Sequence, residues 1–74
     1  MSKKLVPLSP EKTIRILEKF GFRQLRQKGS HLILANKEGK IVIILFHDKE
    51  IGKGLLRRII KEAEIEKNDF LELL

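Results

Sequence analysis

The 74-residue sequence has no cysteine, no tryptophan and no tyrosine, and it holds only two prolines and two histidines. Without cysteine there is no disulfide framework, no thiolate metal site and no thiol nucleophile, and the chain suits a reducing compartment. Two histidines do not by themselves complete a zinc site, so neither a metal nor a cofactor is expected. The four phenylalanines are the only aromatics, and three of them fit core or junction positions. A platform for stacking bases is therefore not expected. No apolar run approaches the roughly 20 residues of a membrane span, and Leu5-Val6-Pro7-Leu8 is too short for a signal-peptide core. The expectation is a small cytoplasmic domain with no membrane partner. A chain of this length buries only about 60% of the surface its unfolded form exposes, which leaves room for one thin core.

What the sequence does have is positive charge, unevenly spread. Lys and Arg number 16 against 10 Asp and Glu, a formal net charge of +6. Residues 1–61 carry 15 of the basic residues and five acids, whereas residues 62–74 carry one lysine and five acids. A basic body suggests a polyanionic partner, most commonly nucleic acid. The acidic tail reads as structural.

Residues 1–8 read as a loose leader and 9–74 as a single domain. Ser9-Pro10-Glu11 supplies an N-cap, a proline for the first turn and an acid at the positive end of the helix dipole. Ile14, Leu17 and Phe20, with Thr13 beside them, form one stripe at helical spacing, and Gly21 closes the helix at about Pro10–Phe20. Phe22–Gln27 reads as a short edge strand of poor alternation. Lys28-Gly29-Ser30 is a turn, His31–Ala35 a strand, and Lys40–Phe46 a third. Asn36-Lys37-Glu38-Gly39 makes the last two a hairpin. Gly52-Lys53-Gly54 opens a second helix that runs through about Ala63, with Leu55, Leu56, Ile59, Ile60 and Ala63 on its apolar face. Residues 68–74 carry a further helix signal at Asn68. The fold class is α+β, in the order helix, three antiparallel strands, helix, with both helices on one face of the sheet.

A four-residue loop would pair Ala35 with Lys40, Leu34 with Ile41 and Leu32 with Ile43, and these residues with Leu45 would lie under the helices. His31, Ile33, Ala35, Val42, Ile44 and Phe46 would then occupy the open face. Such an apolar surface predicts cover by a second protein chain, or self-association through Ile33, Val42 and Ile44. A slip of one residue would exchange the faces.

Among groups able to do chemistry, His31 stands first. It follows Gly29 and Ser30 at a strand start, where a ligand can approach closely. Histidine titrates near neutrality and can take a proton from a ribose 2′-hydroxyl or deliver one to a leaving 5′-oxygen. On spacing alone a plain strand histidine explains the position too. Lys28, beside the glycine, is placed to stabilise a pentacovalent phosphorus, with Arg23 and Arg26 leading toward it. Lys53 sits between glycines at a helix start, where free N–H groups and the dipole favour phosphate. Arg57, Arg58 and Lys61 read as a solvated helix face from which one or two side chains would reach an RNA backbone. His47, beyond the third strand, reads as a loop or capping residue.

Three segments, Phe20-Gly21-Phe22, Lys28-Gly29-Ser30-His31 and the run Gly52–Ala63, lie in an order that resembles the HicA (YcfA-like) family of toxin ribonucleases, over about residues 7–73. The resemblance implies a fold like the double-stranded-RNA-binding domain. It also implies metal-independent cleavage of mRNA by the histidine of the Gly-Ser-His element, here His31, and inhibition by a HicB-type antitoxin. The family's proline before the end of the third strand is missing from Ile43-Ile44-Leu45-Phe46-His47, and its glycine after the last helical alanine is Glu64. Lys28, Gly29, Ser30, Arg26, Lys53 and Arg57 are the expected RNA contacts. Two rivals to an endoribonuclease are a non-catalytic RNA-binding module using the same basic surface and a pure protein-interaction domain.

Overall fold

Ser9 caps the first helix as its chemistry requires: its hydroxyl accepts from the Lys12 amide at 3.1 Å, and Pro10 occupies the first turn. The computed structural model describes residues 4–46 and 49–74. In it α1 spans Pro10–Lys19, β1 Arg23–Lys28, β2 His31–Ala35, β3 Ile41–Leu45, α2 Lys53–Ala63 and α3 Lys67–Glu72. The sheet order is β1-β2-β3, antiparallel throughout. Leu32, Leu34, Val42 and Ile44 are all buried on the helix side, and the two long helices cover that one face. This is the α+β arrangement of the double-stranded-RNA-binding type.

α1 ends in a Schellman motif. The Phe22 amide donates to Leu17 O and the Gly21 amide to Glu18 O, both at 3.1 Å, with Gly21 at φ 92°. Phe22 and Leu17 are both buried, the apolar contact that accompanies this cap. α2 ends the same way without a glycine. Ile65 donates to Ile60 O and Glu64 to Lys61 O, and Glu64 takes the left-handed conformation at φ 55°. An L-residue with a Cβ does so at a cost of about 1–2 kcal/mol. Glu64 also forms an ion pair with Lys40.

Four expectations change. First, β1 begins at Arg23 and runs to Lys28, since Phe22 belongs to the helix cap and is buried. Second, the β2–β3 register is Ala35↔Ile41, Ile33↔Ile43 and His31↔Leu45. The connection closes on Asn36, whose amide donates to Lys40 O at 3.1 Å and whose Oδ1 accepts from Lys40 N at 2.9 Å. Gly39 at φ 83° completes the turn. The one-residue shift leaves β2 as expected and turns β3 over. Val42 and Ile44, both 0% exposed, fill the core and cannot mediate self-association, while Ile41 and Ile43 stand 56% and 48% exposed on the open face.

Third, the leader is not loose over the residues described. Leu5 and Leu8 are buried, and Leu8 and Ile51 exchange backbone hydrogen bonds of 3.1 and 2.6 Å. Fourth, the tail helix starts one residue before Asn68 and is capped by Glu66, whose carboxylate accepts from the Asp69 amide at 3.0 Å. Its Phe70 and Leu71 are buried, so the acidic tail is structural. Ile16, outside the expected stripe, is buried as well, and it borders a recess with Leu73.

Candidate functional site

The open face of the sheet is set by two turns and a bulge. Gly29 and Ser30 form a two-residue hairpin loop in which only Gly29 has positive φ, 61°, so Lys28 and His31 pair directly across it. A two-residue loop with glycine first is the type II′ solution, and it fixes register. Gln27 Nε2 donates to Gly29 O at 3.1 Å and ties the turn to the preceding strand. On the other side Ser30 O accepts from the Phe46 amide at 2.8 Å, which anchors the turn to the end of β3.

β1 has one residue more than β2 along the paired stretch, and the ladder absorbs it as a bulge between Gln24 and Arg26. Leu25, 62% exposed, is the extra residue. Arg26 therefore opposes Ile33 and Lys28 opposes His31, which puts both cations on the open face. A strictly alternating β1 running from Arg23 would have put Leu25 and Gln27 there instead. Bulges beside functional sites often re-aim side chains in this way.

Three cross-strand rows result, Lys28–His31–Leu45, Arg26–Ile33–Ile43 and Arg23–Ala35–Ile41. His31 is exposed at the end of the sheet. It borders a shallow recess with Lys28, Gly29, Ile33 and Ile43, and a groove between β3 and α2 lined by Leu55 and Arg58. Of the residues expected to contact RNA, Lys28, Gly29, Ser30 and Arg26 are thus gathered around His31. Lys53 and Arg57 lie on α2, exposed, and line neither of these two hollows. The helix cation beside His31 is Arg58, whose Nε donates to Glu62 at 3.3 Å. Helical periodicity alone does not choose between Arg57 and Arg58; only the placement of α2 beside β3 does.

His47 lies outside the described residues. Among those described, no three histidine or carboxylate side chains gather as a metal-binding group, and no helix is long and apolar enough to cross a membrane.

No curated protein matches the chain. Residues 10–65 match the family described as the HicA toxin of bacterial toxin–antitoxin systems, a stretch that begins with α1, contains all three strands and ends just after α2. The protein whose open sheet face presents His31 opposite Lys28 belongs to the HicA toxin family.

Proposed function

We propose that this toxin is an endoribonuclease that cleaves mRNA by transesterification with His31 as its acid/base and without a metal ion. The observation that carries the reading is the pairing of an exposed histidine with a lysine, across a glycine turn, on the open face of a HicA-family sheet.

In the proposed step the His31 imidazole takes the proton of a ribose 2′-hydroxyl. The 2′-oxygen then attacks the adjacent phosphorus, and the P–O5′ bond breaks. The products are a 2′,3′-cyclic phosphate and a 5′-hydroxyl, whose oxygen takes its proton from water or from the imidazolium. Lys28, on the same row of the open face, offers its ammonium to the non-bridging oxygens as charge builds on them. Arg26 in the next row and Arg58 across the groove hold flanking phosphates, with Lys53 and Arg57 as outer contacts. Ser30 and Gly29 keep backbone bulk low where the RNA approaches. With no aromatic platform on the face, binding is through backbone and shape, so affinity falls steeply with salt.

The test is cleavage of a labelled mRNA by purified wild type and His31→Ala. The expected variant binds RNA with the same salt dependence and does not cut it. Cleavage that survives the substitution, in a preparation free of other nucleases, rejects the assignment. Absence of RNA binding by the wild type at low salt would leave a protein-interaction domain as the better reading.

A further inference from the structure

The two edges of this sheet are built differently. β1 is guarded as soluble proteins usually guard an edge, by Arg23, Arg26, Lys28 and a bulge. β3, the other edge, has the sequence Ile-Val-Ile-Ile-Leu, with no charge, no proline and no bulge. Its pairing with β2 also determines where its free backbone groups point. Phe46 donates to Ser30 O and Asn36 donates to Lys40 O, so the even-numbered residues of this hairpin arm form the hydrogen-bonded pairs. The N–H and C=O groups of Ile41, Ile43 and Leu45 are directed away from β2, and no described residue supplies a partner for them. The side chains of the same residues stand on the open face. With Leu55 of α2, itself 40% exposed, they line the groove that His31 borders.

We infer that β3 is the docking edge for the antitoxin, which adds a strand antiparallel or parallel to Ile41–Leu45 and seats alternate apolar side chains against Ile41, Ile43 and Leu55. Strand addition supplies backbone hydrogen bonds for affinity and side-chain pockets for specificity. The occupant is a protein partner because the chain is a toxin of a toxin–antitoxin family. A second copy is disfavoured, because each chain carries +6 and pairing two such edges would bring like charges together. The expected strand is neutral or acidic, to suit Lys28 and Arg26 on the adjoining open face, since Arg58 in the groove is already paired with Glu62. The inference rests on family membership and not on the chemistry assigned to His31.

The probe is the protein encoded by the reading frame adjoining this chain's own, purified and titrated against the full-length toxin. Ile43→Pro removes one outward N–H and crowds the edge while leaving the β2 ladder intact, as proline is tolerated where the amide faces solvent. It should weaken binding by about tenfold or more, since it leaves partner groups unpaired. Leu25→Lys, on the opposite edge, should change binding by less than about threefold, as rim substitutions do. A paired substitution of exposed side chains, Ile41→Lys with Ile43→Lys, serves if the proline variant does not fold. In the wild-type complex, hydrogen exchange should slow at Ile41, Ile43 and Leu45 relative to the free toxin. Unchanged binding by a folded β3 variant overturns the inference. So does an equal loss in Leu25→Lys, absence of protection at the three amides, no binding by the wild type, or a toxin homodimer that Ile43→Pro disrupts. RNA cleavage by the free wild type reports on the nuclease proposal separately.

Discussion

Lys28 and His31 face each other across the β1–β2 ladder, separated in sequence only by Gly29 and Ser30. A cation and an imidazole are thereby held on one surface by the shortest connection a hairpin allows. Neither side chain has to be ordered by a long loop, because the ladder itself fixes their directions.

Lys28→Ala should lower the cleavage rate by about 10²–10³-fold, the usual effect of removing one group that stabilises transition-state charge. Lys28→Arg should recover part of it. Lys28 is exposed, so the unfolding free energy of both variants should stay within about 0.5 kcal/mol of wild type. Single-turnover cleavage with a denaturation curve for each variant makes the comparison. A rate untouched by Lys28→Ala would remove the lysine from the proposed site.

Gly29→Ala addresses the turn. Nothing lies within 4 Å of a Cβ built at Gly29, so the substitution creates no clash and acts through φ 61° alone. The expected loss is about 1–2 kcal/mol in urea denaturation, the cost of placing an L-residue in that region. Cleavage should fall more than folding does, because the turn sets Lys28 against His31. A fully active variant of wild-type stability would show that the turn does not need glycine.

The β2–β3 register is tested by two adjacent isoleucines. Ile44→Ala should cost about 2–5 kcal/mol by opening a cavity in the core, and Ile43→Ala less than about 1 kcal/mol. The four-residue loop read from the sequence predicts the reverse order. Its failure has a physical reason. β3 is apolar at all five positions, so alternation carries no information about which side chains face the core. Leu34 and Ile33 of β2 are just as ambiguous. The deciding contact is polar and local, the Asn36 Oδ1 that accepts the Lys40 amide and closes the loop one residue later. Where polar chemistry is explicit, sequence and structure agree: Ser9 caps α1 and Gly21 closes it. The bulge at Leu25 was visible only as poor alternation, and its consequence, Arg26 and Lys28 sharing the His31 face, emerges from the pairing.

Glu64→Gly should stabilise the protein. It removes the left-handed conformation of an L-residue, about 1 kcal/mol at a helix C-terminus, and gives up an ion pair with Lys40 that is worth about 0–1 kcal/mol between exposed groups. Glu64→Ala loses the ion pair and keeps the strained φ, so it should be less stable than wild type. Opposite shifts of the urea midpoint for the two variants would establish that the backbone, and not the carboxylate, limits stability here. A lower midpoint for Glu64→Gly would assign the larger effect to the Lys40 pair.

A chain trimmed to the family-matched residues 10–65 should not fold, although it retains His31 and every strand. Trimming removes Leu5, Leu8, Phe70 and Leu71, all buried in the core. It also removes the backbone exchange between Leu8 and Ile51, which holds the segment leading into α2. Losing a buried leucine costs about 2–5 kcal/mol and a buried phenylalanine about 3–5, against a total stability of about 5–15 kcal/mol for a domain. Both flanks contribute to the one core that backs the sheet, so the elements that present His31 depend on residues outside the matched stretch. Circular dichroism of the trimmed chain should show lost helix and no cooperative thermal transition. Phe70→Ala in the full chain should lower the midpoint without abolishing the transition. A trimmed chain that unfolds cooperatively at the wild-type temperature would show that the flanks are dispensable to the core.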